Sequence, residues 1–172
     1  INRQIKDIEK LVNEFSSFAR MPRPVFKRTD IEEVLNRAID FYKLSSLNEI
    51  TLSSSDSKMF IKGDEGQLYR VFINLIKNSE DSIKEKKQIK NDFKGKIYVE
   101  IKDNNDYISI TLIDNGLGIK DTTKIMTPYF TTKKDGTGLG LPIVSKIINE
   151  HQGEITITNY KLGAKVLIIL KK

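Results

Sequence analysis

Two hairpins with alternating apolar and polar residues constrain the fold of this 172-residue chain most strongly. Residues 96–102 (KIYVEIK) and 107–114 (YISITLID) alternate on either side of DNND, a turn-forming sequence, and residues 154–160 (EITITNY) pair in the same way with 164–172 (AKVLIILKK). Antiparallel strands of this kind bury one face and leave the other in water. Because helix-periodic segments lie between the hairpins, the predicted fold class is a two-layer α/β sandwich: a mixed, mostly antiparallel sheet with helices on one face.

Shorter patterned segments complete the predicted sandwich. A strand is expected within residues 24–31, followed by a helix that Thr29 or Asp30 caps and that ends near Leu44. The remaining predicted elements, in chain order, are two strands within residues 49–55 and 58–64, a helix over residues 65–84, a glycine-containing loop over residues 115–137 and a helix over about residues 139–151.

Composition excludes several classes of protein. The chain has no cysteine, which excludes disulfides and thiolate metal sites. Its longest apolar run, Val166 to Leu170, is too short to span a membrane. The net charge of +6 comes from lysines that are scattered and not interleaved with aromatic residues, so a lysine-rich solvated surface is favoured over nucleic-acid binding.

The first twenty residues stand apart from the rest of the pattern. Apolar residues recur at spacings of three and four from Ile1 to Ala19, which predicts an amphipathic helix, and Pro22 and Pro24 then end it. No strand or helix follows directly to cover this apolar stripe, so dimerisation through the helix is favoured over packing on its own domain. We expect a fragment of a longer protein, because the chain begins with Ile, and we predict a helical unit over residues 1–22, a proline linker over 23–25 and a globular domain over 26–172.

The helix predicted over residues 65–84 has one apolar and one polar side. A solvated face explains the charged residues of the polar side, but two asparagines four residues apart are unusual because asparagine is a poor helix former. Amide oxygens are suitable ligands for Mg²⁺, which escorts nucleotides with few protein ligands. A nucleotide–metal site is therefore the functional alternative to a solvated face. The polar side consists of Gln67, Arg70, Asn74, Lys77, Asn78 and Asp81.

Asp114 and the glycines that follow it form a second candidate site. The sequence DNGLGI places Asp114 at the end of a predicted strand, with Gly116 and Gly118 directly after it. An ordinary turn has this composition. Alternatively, the carboxylate accepts a hydrogen bond from an exocyclic amine while the glycines allow a flat base to approach the backbone.

Three alternating glycines, Gly136, Gly138 and Gly140, lie in the sequence GTGLGL, shortly after TPYFTTK. They do not fit the dinucleotide fingerprint, because the third glycine comes one residue early and a loop precedes them. They do not fit the P-loop either, because Gly-Lys-Ser/Thr is absent. They do open a predicted helix, whose first amide groups and dipole favour a polyphosphate.

The order NLIKNSEDS, DNGLGI, PYFTTK and GTGLGL resembles the ATP-binding domain of sensor histidine kinases, in the superfamily shared with gyrase-type ATPases and heat-shock chaperones. The resemblance covers about residues 24–172, and the spelling PYFTTK is similar to the nitrogen-regulation group. It implies ATP and Mg²⁺ as cofactors, with Asn78 as the metal ligand, Asp114 at the adenine amino group and a mobile lid over residues 120–138. The ATP-binding residues that it implies are Asn74, Lys77, Asn78, Asp81, Asp114, Gly116, Gly118, Ile119, Thr131, Thr132, Lys133, Gly136, Thr137, Gly138, Leu139, Gly140 and Leu141.

One position separates the kinases from their relatives. The ATPases and serine kinases of the superfamily carry a glutamate as general base four residues before the metal-binding asparagine, and here that position is Asn74. An amide cannot accept the proton, whereas a histidine acceptor is already nucleophilic near neutral pH. Phosphotransfer to histidine is therefore favoured over hydrolysis by a gyrase-type clamp. A degenerate nucleotide-responsive module without phosphotransfer is the alternative, which the intact Asn78, Asp114 and glycines disfavour.

The resemblance also implies groups that lie outside this chain. Its N-terminal helix is similar to the second helix of a kinase dimerisation hairpin, so the phosphoacceptor histidine is expected upstream of Ile1. The implied partners are a second copy of the parent chain and the receiver domain of a response regulator, and the implied location is the cytoplasmic part of a membrane-bound sensor. His151 is the only histidine and is expected to have a structural or surface role at a helix end. Ala164 stands where many relatives have a threonine.

Overall fold

The structure is a computed structural model of the chain. It describes residues 5, 9, 12, 16, 20–54, 58–131, 133, 136–161 and 163–172. The strands are β1 (Lys27–Asp30), β2 (Glu49–Ser53), β3 (Phe60–Gly63), β4 (Lys96–Asp103), β5 (Tyr107–Asp114), β6 (Glu154–Tyr160) and β7 (Gly163–Lys171), and the helices are α1 (Ile31–Lys43), α2 (Glu65–Ile89) and α3 (Gly140–Glu150).

Five strands form the main sheet in the order β2-β4-β5-β7-β6. β2 is parallel to β4, and every other neighbouring pair in this sheet is antiparallel. Both predicted hairpins are present, since β4 pairs with β5 and β6 pairs with β7. Residues along β5 alternate in burial, as expected for a sheet that is covered on one face. The predicted mixed, mostly antiparallel α/β sandwich is confirmed.

The two strands predicted within residues 49–55 and 58–64 belong to different sheets. β2 joins the edge of the main sheet beside β4, whereas β3 pairs with β1 in a separate antiparallel ribbon. Each strand of this ribbon leads directly into a helix. Asp30, the last residue of β1, is the N-cap of α1, and Asp64, the residue after β3, is the N-cap of α2.

The helices form one layer over the main sheet, with α2 packed between α1 and α3. The core contains Phe72 of α2 together with Ile97, Ile108 and Ile147 from the surrounding elements. α2 runs to Ile89, five residues beyond its predicted end, because the apolar stripe stops at Ile83 while good helix formers continue in KEKKQI. This long central helix presents side chains to both neighbouring helices and to the end of β5.

One assignment on the polar side of α2 is wrong. Gln67 is buried, with 8% of its surface exposed, and its Nε2 donates a hydrogen bond of 2.9 Å to the carbonyl of Pro22. The helical period alone places Gln67 on the polar side, but the linker preceding β1 lies across this turn of α2 and removes the side chain from water.

The predicted N-terminal helix is described at four positions before residue 20, Ile5, Glu9, Val12 and Ser16, which are all helical, and Arg20 lies in a turn. The other positions of residues 1–19 lie outside the described residues. Among the helices that the structure describes, none combines the length and hydropathy needed to cross a membrane.

Candidate nucleotide-binding site

The polar side of α2 brings together two of the predicted ligand residues. The ammonium group of Lys133, from the predicted lid, donates to Oδ1 of Asn78 at 3.2 Å and to Oδ2 of Asp81 at 3.0 Å. Two oxygens one helical turn apart therefore converge on a single positive charge. A group of three or more histidine, aspartate or glutamate side chains that could hold a metal is absent from the described residues.

Asn74 lies one turn before Asn78 and faces the start of α3. Its Nδ2 donates to the carbonyl of Arg70 at 2.8 Å, and a Cβ atom added to Gly140 would lie 3.3 Å from its Oδ1. The structure therefore brings this asparagine together with the third glycine of GTGLGL. Lys77, also predicted at the site, is exposed on α2.

Asp114 is a buried carboxylate at the end of β5, with 5% of its surface exposed. Its Oδ1 accepts from the amides of Gly116 at 2.9 Å and Ala164 at 3.3 Å, and its Oδ2 accepts from the hydroxyl of Ser79 at 3.0 Å. Burial raises the pKa of this carboxyl above its ordinary value of 3.8, and the hydrogen bonds from Gly116, Ser79 and Ala164 oppose that rise. The backbone amide of Ala164 thus contacts Asp114 although its side chain carries no hydroxyl.

The backbone packs so closely around Asp114 that glycine is required nearby. A Cβ atom at Gly163 would lie 1.9 Å from the carbonyl oxygen of Asp114. Gly118 has a φ of +75°, which a residue with a side chain adopts only under strain. Next to it, Oδ1 of Asn159 in β6 accepts a hydrogen bond of 2.7 Å from the amide of Ile119, and Nδ2 donates one of 2.9 Å to the carbonyl of Ile119. Sequence reasoning missed Asn159, because β6 is distant along the chain from DNGLGI.

The predicted lid, residues 120–138, connects this loop to α3. Gly138 has a φ of +69°, and its carbonyl accepts from the amide of Tyr129 at 3.1 Å, so the two ends of TPYFTTKKDGTG meet. Met126 and Pro128 face α3 across a groove of about 540 Å³. Two further predicted residues, Thr131 and Gly136, lie close together, whereas the predicted Thr132 lies outside the described residues.

α3 begins at Gly140 without a side-chain cap, unlike α1 and α2, which aspartates cap. Its first turn also contains no acidic residue. Leu139 is fully buried and Leu141 packs against the core. Thr137 is half-buried directly before this turn.

Sequence reasoning also missed side chains on α2 that contact the Asp114 loop. Ser79 donates to Asp114, Ser82 accepts from the amide of Leu117 at 2.9 Å, and Lys86 donates to the carbonyl of Gly116 at 2.7 Å. A sequence signal was available in NSEDS, which resembles the superfamily motif Asn-Ala-x-Asp-Ala but has a serine at each of the two alanine positions.

His151 has the structural role that its position predicts. It is buried at the end of α3, its Nδ1 contacts the carbonyl of Ile147 at 2.8 Å, and its Nε2 accepts from the amide of Asp64 at 2.9 Å. Because an amide can only donate, Nε2 is the unprotonated nitrogen and Nδ1–H donates to Ile147. The ring also contacts Phe26 edge to face, with centroids 5.1 Å apart.

Residues 63–172, well over half of the chain, match the family described as histidine kinase-, DNA gyrase B- and HSP90-like ATPases. The chain belongs to this family. The matched range contains every residue that the four motifs assign to the site.

Within the family, the chain is similar to sensor histidine kinases. It is 35% identical over 172 residues to an NtrY-like sensor histidine kinase of Rickettsia bellii and 32% identical over 167 residues to nitrogen regulation protein NtrY of Azorhizobium caulinodans. These alignments cover 98% and 95% of this chain but 27% and 21% of the two relatives, so the chain spans about a quarter of their length. The predicted similarity to the nitrogen-regulation group is confirmed.

Solved structures give the same assignment. The catalytic domain of histidine kinase ThkA matches with a TM-score of 0.75 and 25% identity, covering 86% of this chain and 96% of that one. Full-length ShkA, solved in complex with AMPPNP, matches with a TM-score of 0.78 and covers 98% of this chain and 36% of its own; at 22% identity it shows the fold alone. The chain thus forms an ATP-binding domain of the type found in the catalytic part of sensor histidine kinases.

Proposed function

We propose that this chain is the catalytic core of a sensor histidine kinase that transfers the γ-phosphoryl group of Mg·ATP to a histidine on an upstream helix. The observation that carries the proposal is the convergence of Asn78 and Asp81 on the ammonium group of Lys133. One face of α2 thus accommodates the positive charge of a lysine from the predicted lid. The buried acceptor Asp114 contacts another side of the same helix through Ser79. The resemblance of the four motifs assigns metal, phosphates and adenine to these groups.

Asn78 fits Mg²⁺ as an oxygen ligand, with Asp81 bracing the site. The positive charge of Lys133 at these oxygens is the observation that supports a cation there. When bound, Mg²⁺ neutralises negative charge on the phosphates and orients them. Lys133, whose ammonium group contacts Asn78 and Asp81, would then bind the phosphates from the lid.

The uncapped start of α3 is suited to the phosphates. Its first amide groups have no side-chain partner at the cap position, and Gly140 keeps the approach to them open. Asn74 lies against this same turn and supports the phosphates from α2. The positive φ of Gly138 lets residues 120–138 fold over the triphosphate and open again.

Asn74 also favours phosphotransfer over hydrolysis. Its amide nitrogen already donates to the carbonyl of Arg70, and an amide cannot act as a general base for water. The imidazole of a histidine acceptor is nucleophilic without such a base. We therefore infer a phosphohistidine product, from which an aspartate of a response regulator receives the group.

The division of the parent protein follows from this proposal. Residues 1–22 are the second helix of a dimerisation hairpin, residues 23–25 are the linker and residues 26–172 are the ATP-binding domain. The parent acts as a homodimer with its kinase part in the cytoplasm and signals to a receiver domain.

A reconstituted transfer reaction tests the kinase assignment. The chain is mixed with γ-labelled ATP, Mg²⁺ and a dimerisation hairpin that carries a phosphoacceptor histidine, taken from an NtrY-like relative. We expect acid-labile, base-stable label on the hairpin and none on the chain itself, and an acceptor His→Gln hairpin controls for labelling elsewhere. ATP binding without label on the hairpin favours the degenerate nucleotide-responsive module, and label on the chain itself contradicts the structural role of His151.

A further inference from the structure

One side of α2 contacts four consecutive residues of the loop after β5. The hydroxyl of Ser79 donates to Oδ2 of Asp114, and the hydroxyl of Ser82 accepts from the amide of Leu117. Lys86 donates to the carbonyls of Asn115 and Gly116. The spacings of three and four place these three side chains in a row, one turn apart, along a face distinct from that of Asn74 and Asn78.

The contacts nearly exhaust the hydrogen-bonding capacity of Asp114. An ionised carboxylate has about four acceptor positions, two on each oxygen. In the described part of the chain, Oδ1 receives two amide donors, from Gly116 and Ala164, and Oδ2 receives the hydroxyl of Ser79. One acceptor position on Oδ2 is left for a ligand. Because the hydroxyl of Ser79 occupies the other position, it sets the direction in which the remaining one points.

Ser82 and Lys86 fix the backbone that carries this acceptor. A Cβ atom at Gly116 would lie 2.3 Å from the hydroxyl of Ser82, so the loop lies directly on the helix. Lys86 also places its positive charge close enough to Asp114 to lower the pKa of that carboxyl, against the effect of burial. Ser82 thus fixes the loop, and Lys86 both fixes it and favours the ionised carboxylate.

We propose that Ser79, Ser82 and Lys86 are positioning residues that hold residues 114–117 so that Asp114 presents one acceptor to an exocyclic amine, which selects adenine over guanine nucleotides. The inference rests on the proposed function, in which Asp114 binds the base. Adenine has an amino group at the position where guanine has a carbonyl oxygen. A fixed carboxylate therefore binds the first and repels the second, whereas a loosened one discriminates less.

The two serines make this arrangement a property of this chain. They stand in NSEDS where the related motif has alanines, so Ser79→Ala and Ser82→Ala restore the residue typical of the motif at helical positions where alanine is well tolerated. Lys86→Gln removes the third contact. Lys84→Gln is the matched control, since it removes the same charge from an exposed position on the same helix.

Calorimetric titration of the full chain with Mg·ATP and Mg·GTP measures the selection. The unmodified chain is expected to prefer ATP by at least about 100-fold. Ser79→Ala and Lys86→Gln are each expected to weaken ATP binding by about tenfold, the value of one charge-assisted hydrogen bond, while GTP binding changes by less than about twofold. Lys86→Arg, which keeps the charge and the donors, restores the preference, and Lys84→Gln leaves both affinities unchanged.

Circular dichroism spectra and thermal unfolding of each variant establish that it is folded, and Ser82→Ala provides an independent test if one of the others is not. Ser82→Ala is expected to lower the preference in the same direction. An unchanged ratio of ATP to GTP affinity in folded Ser79→Ala, Ser82→Ala and Lys86→Gln variants would overturn this inference while leaving the proposed function intact. Failure of the unmodified chain to bind either nucleotide would overturn both.

Discussion

Asp114 combines a cost in folding with its proposed role in binding adenine. Its carboxyl is buried and its pKa is raised, so the folded state holds the proton more tightly than the unfolded state does. The free energy of unfolding therefore falls as pH rises from about 4 through the raised pKa, because the unfolded state releases this proton first. A carboxylate kept in such a place is typical of functional sites.

Asp114→Asn separates the two effects. An asparagine oxygen can accept from the amides of Gly116 and Ala164, and its amino group can donate to the hydroxyl of Ser79, so the contacts of the folded state survive. We expect the free energy of unfolding at pH 7 to be unchanged or raised by up to about 1 kcal/mol, and ATP affinity to fall at least about tenfold.

Denaturant unfolding between pH 4 and pH 8, together with calorimetry, checks this prediction. The stability difference between Asp114→Asn and the unmodified chain should grow in favour of the variant as pH rises. If this difference instead shifts in favour of the unmodified chain between pH 4 and pH 7, the ionised carboxylate is favourable to folding and the prediction is contradicted.

At this scale the resemblance of the motifs identifies Asn78, Asp81 and Asp114 as candidate ligands, and the feature that is unusual by itself is the pair of asparagines four residues apart on one helix. They do not identify the partners of these groups. The contacts of Asp114 with Ser79 and Ala164 span 35 and 50 residues, and that of Asn159 with Ile119 spans 40. Such contacts depend on how the elements pack and leave no periodic signal in the sequence.

At the scale of elements, we expect alanine to change the free energy of unfolding in opposite directions at Gly138 and Gly66. Gly138 has a positive φ, and a Cβ atom there would lie 2.5 Å from the carbonyl carbon of Tyr129. Gly66 lies in the first turn of α2, where a Cβ atom meets only Asp64 Oδ1, at 3.5 Å. We expect Gly138→Ala to lower the free energy of unfolding by about 1–2 kcal/mol and Gly66→Ala to raise it by about 0.5–1 kcal/mol. Urea unfolding of both variants provides the measurement, and equal effects would contradict the strain assigned to Gly138.

Asp64 links the start of α2 to the linker. Its carboxylate accepts from the amide of Gln67 at 2.9 Å and from the amide of Val25 at 2.8 Å. Partial burial alone would raise its pKa, but these amide hydrogen bonds, with that of Gly66, bring the pKa below its ordinary value. The contribution of Asp64 to stability is therefore present above pH 4 and is lost as pH falls through the lowered pKa.

Asp64→Ala removes both hydrogen bonds and is expected to lower the free energy of unfolding at pH 7 by about 1–2 kcal/mol, the range for loss of an N-cap. Asp106→Ala, at an exposed turn, is the control and should change stability by less than about 0.5 kcal/mol. Urea unfolding at pH 7 and pH 3 should show the difference between the two variants shrinking at the lower pH. A difference independent of pH would contradict the charged state assigned to Asp64.

The hairpins β4–β5 and β6–β7 and the cap of α1 could be predicted from the sequence, since alternation and capping are local patterns. The pairing of β2 with β4 and of β3 with β1 could not be predicted. Both depend on the path of the chain around α1 and α2, and the sequences of these short strands suit either partner.

At the scale of the whole molecule, the linker is part of the globular unit. The carbonyl of Pro22 accepts from Gln67, the amide of Val25 donates to Asp64, and the ring of Phe26 contacts His151. His151 in turn accepts from the amide of Asp64, so the linker, α2 and the end of α3 meet in one network. The proposed boundary at residue 26 therefore cuts through contacts of the folded domain.

Two truncations test this organisation. A chain of residues 21–172 is expected to unfold at the same urea concentration as the full chain and to bind Mg·ATP with the same affinity. A chain of residues 27–172 lacks the contacts of Pro22, Val25 and Phe26 and should be less stable by about 1–3 kcal/mol. Equal stability of the two truncations would mean that the linker contributes nothing to the domain.

The central claim is that Asn78, on one side of α2, and Asp114, which contacts another side of the same helix, belong to one Mg·ATP site. Titration calorimetry of the chain with ATP tests this claim most directly. We predict ATP binding that weakens strongly when Mg²⁺ is replaced by excess EDTA. Asn78→Ala and Asp114→Ala should each abolish measurable binding, while Lys84→Gln leaves it unchanged. Absence of ATP binding by the unmodified chain, or binding that survives both alanine substitutions, would contradict the account.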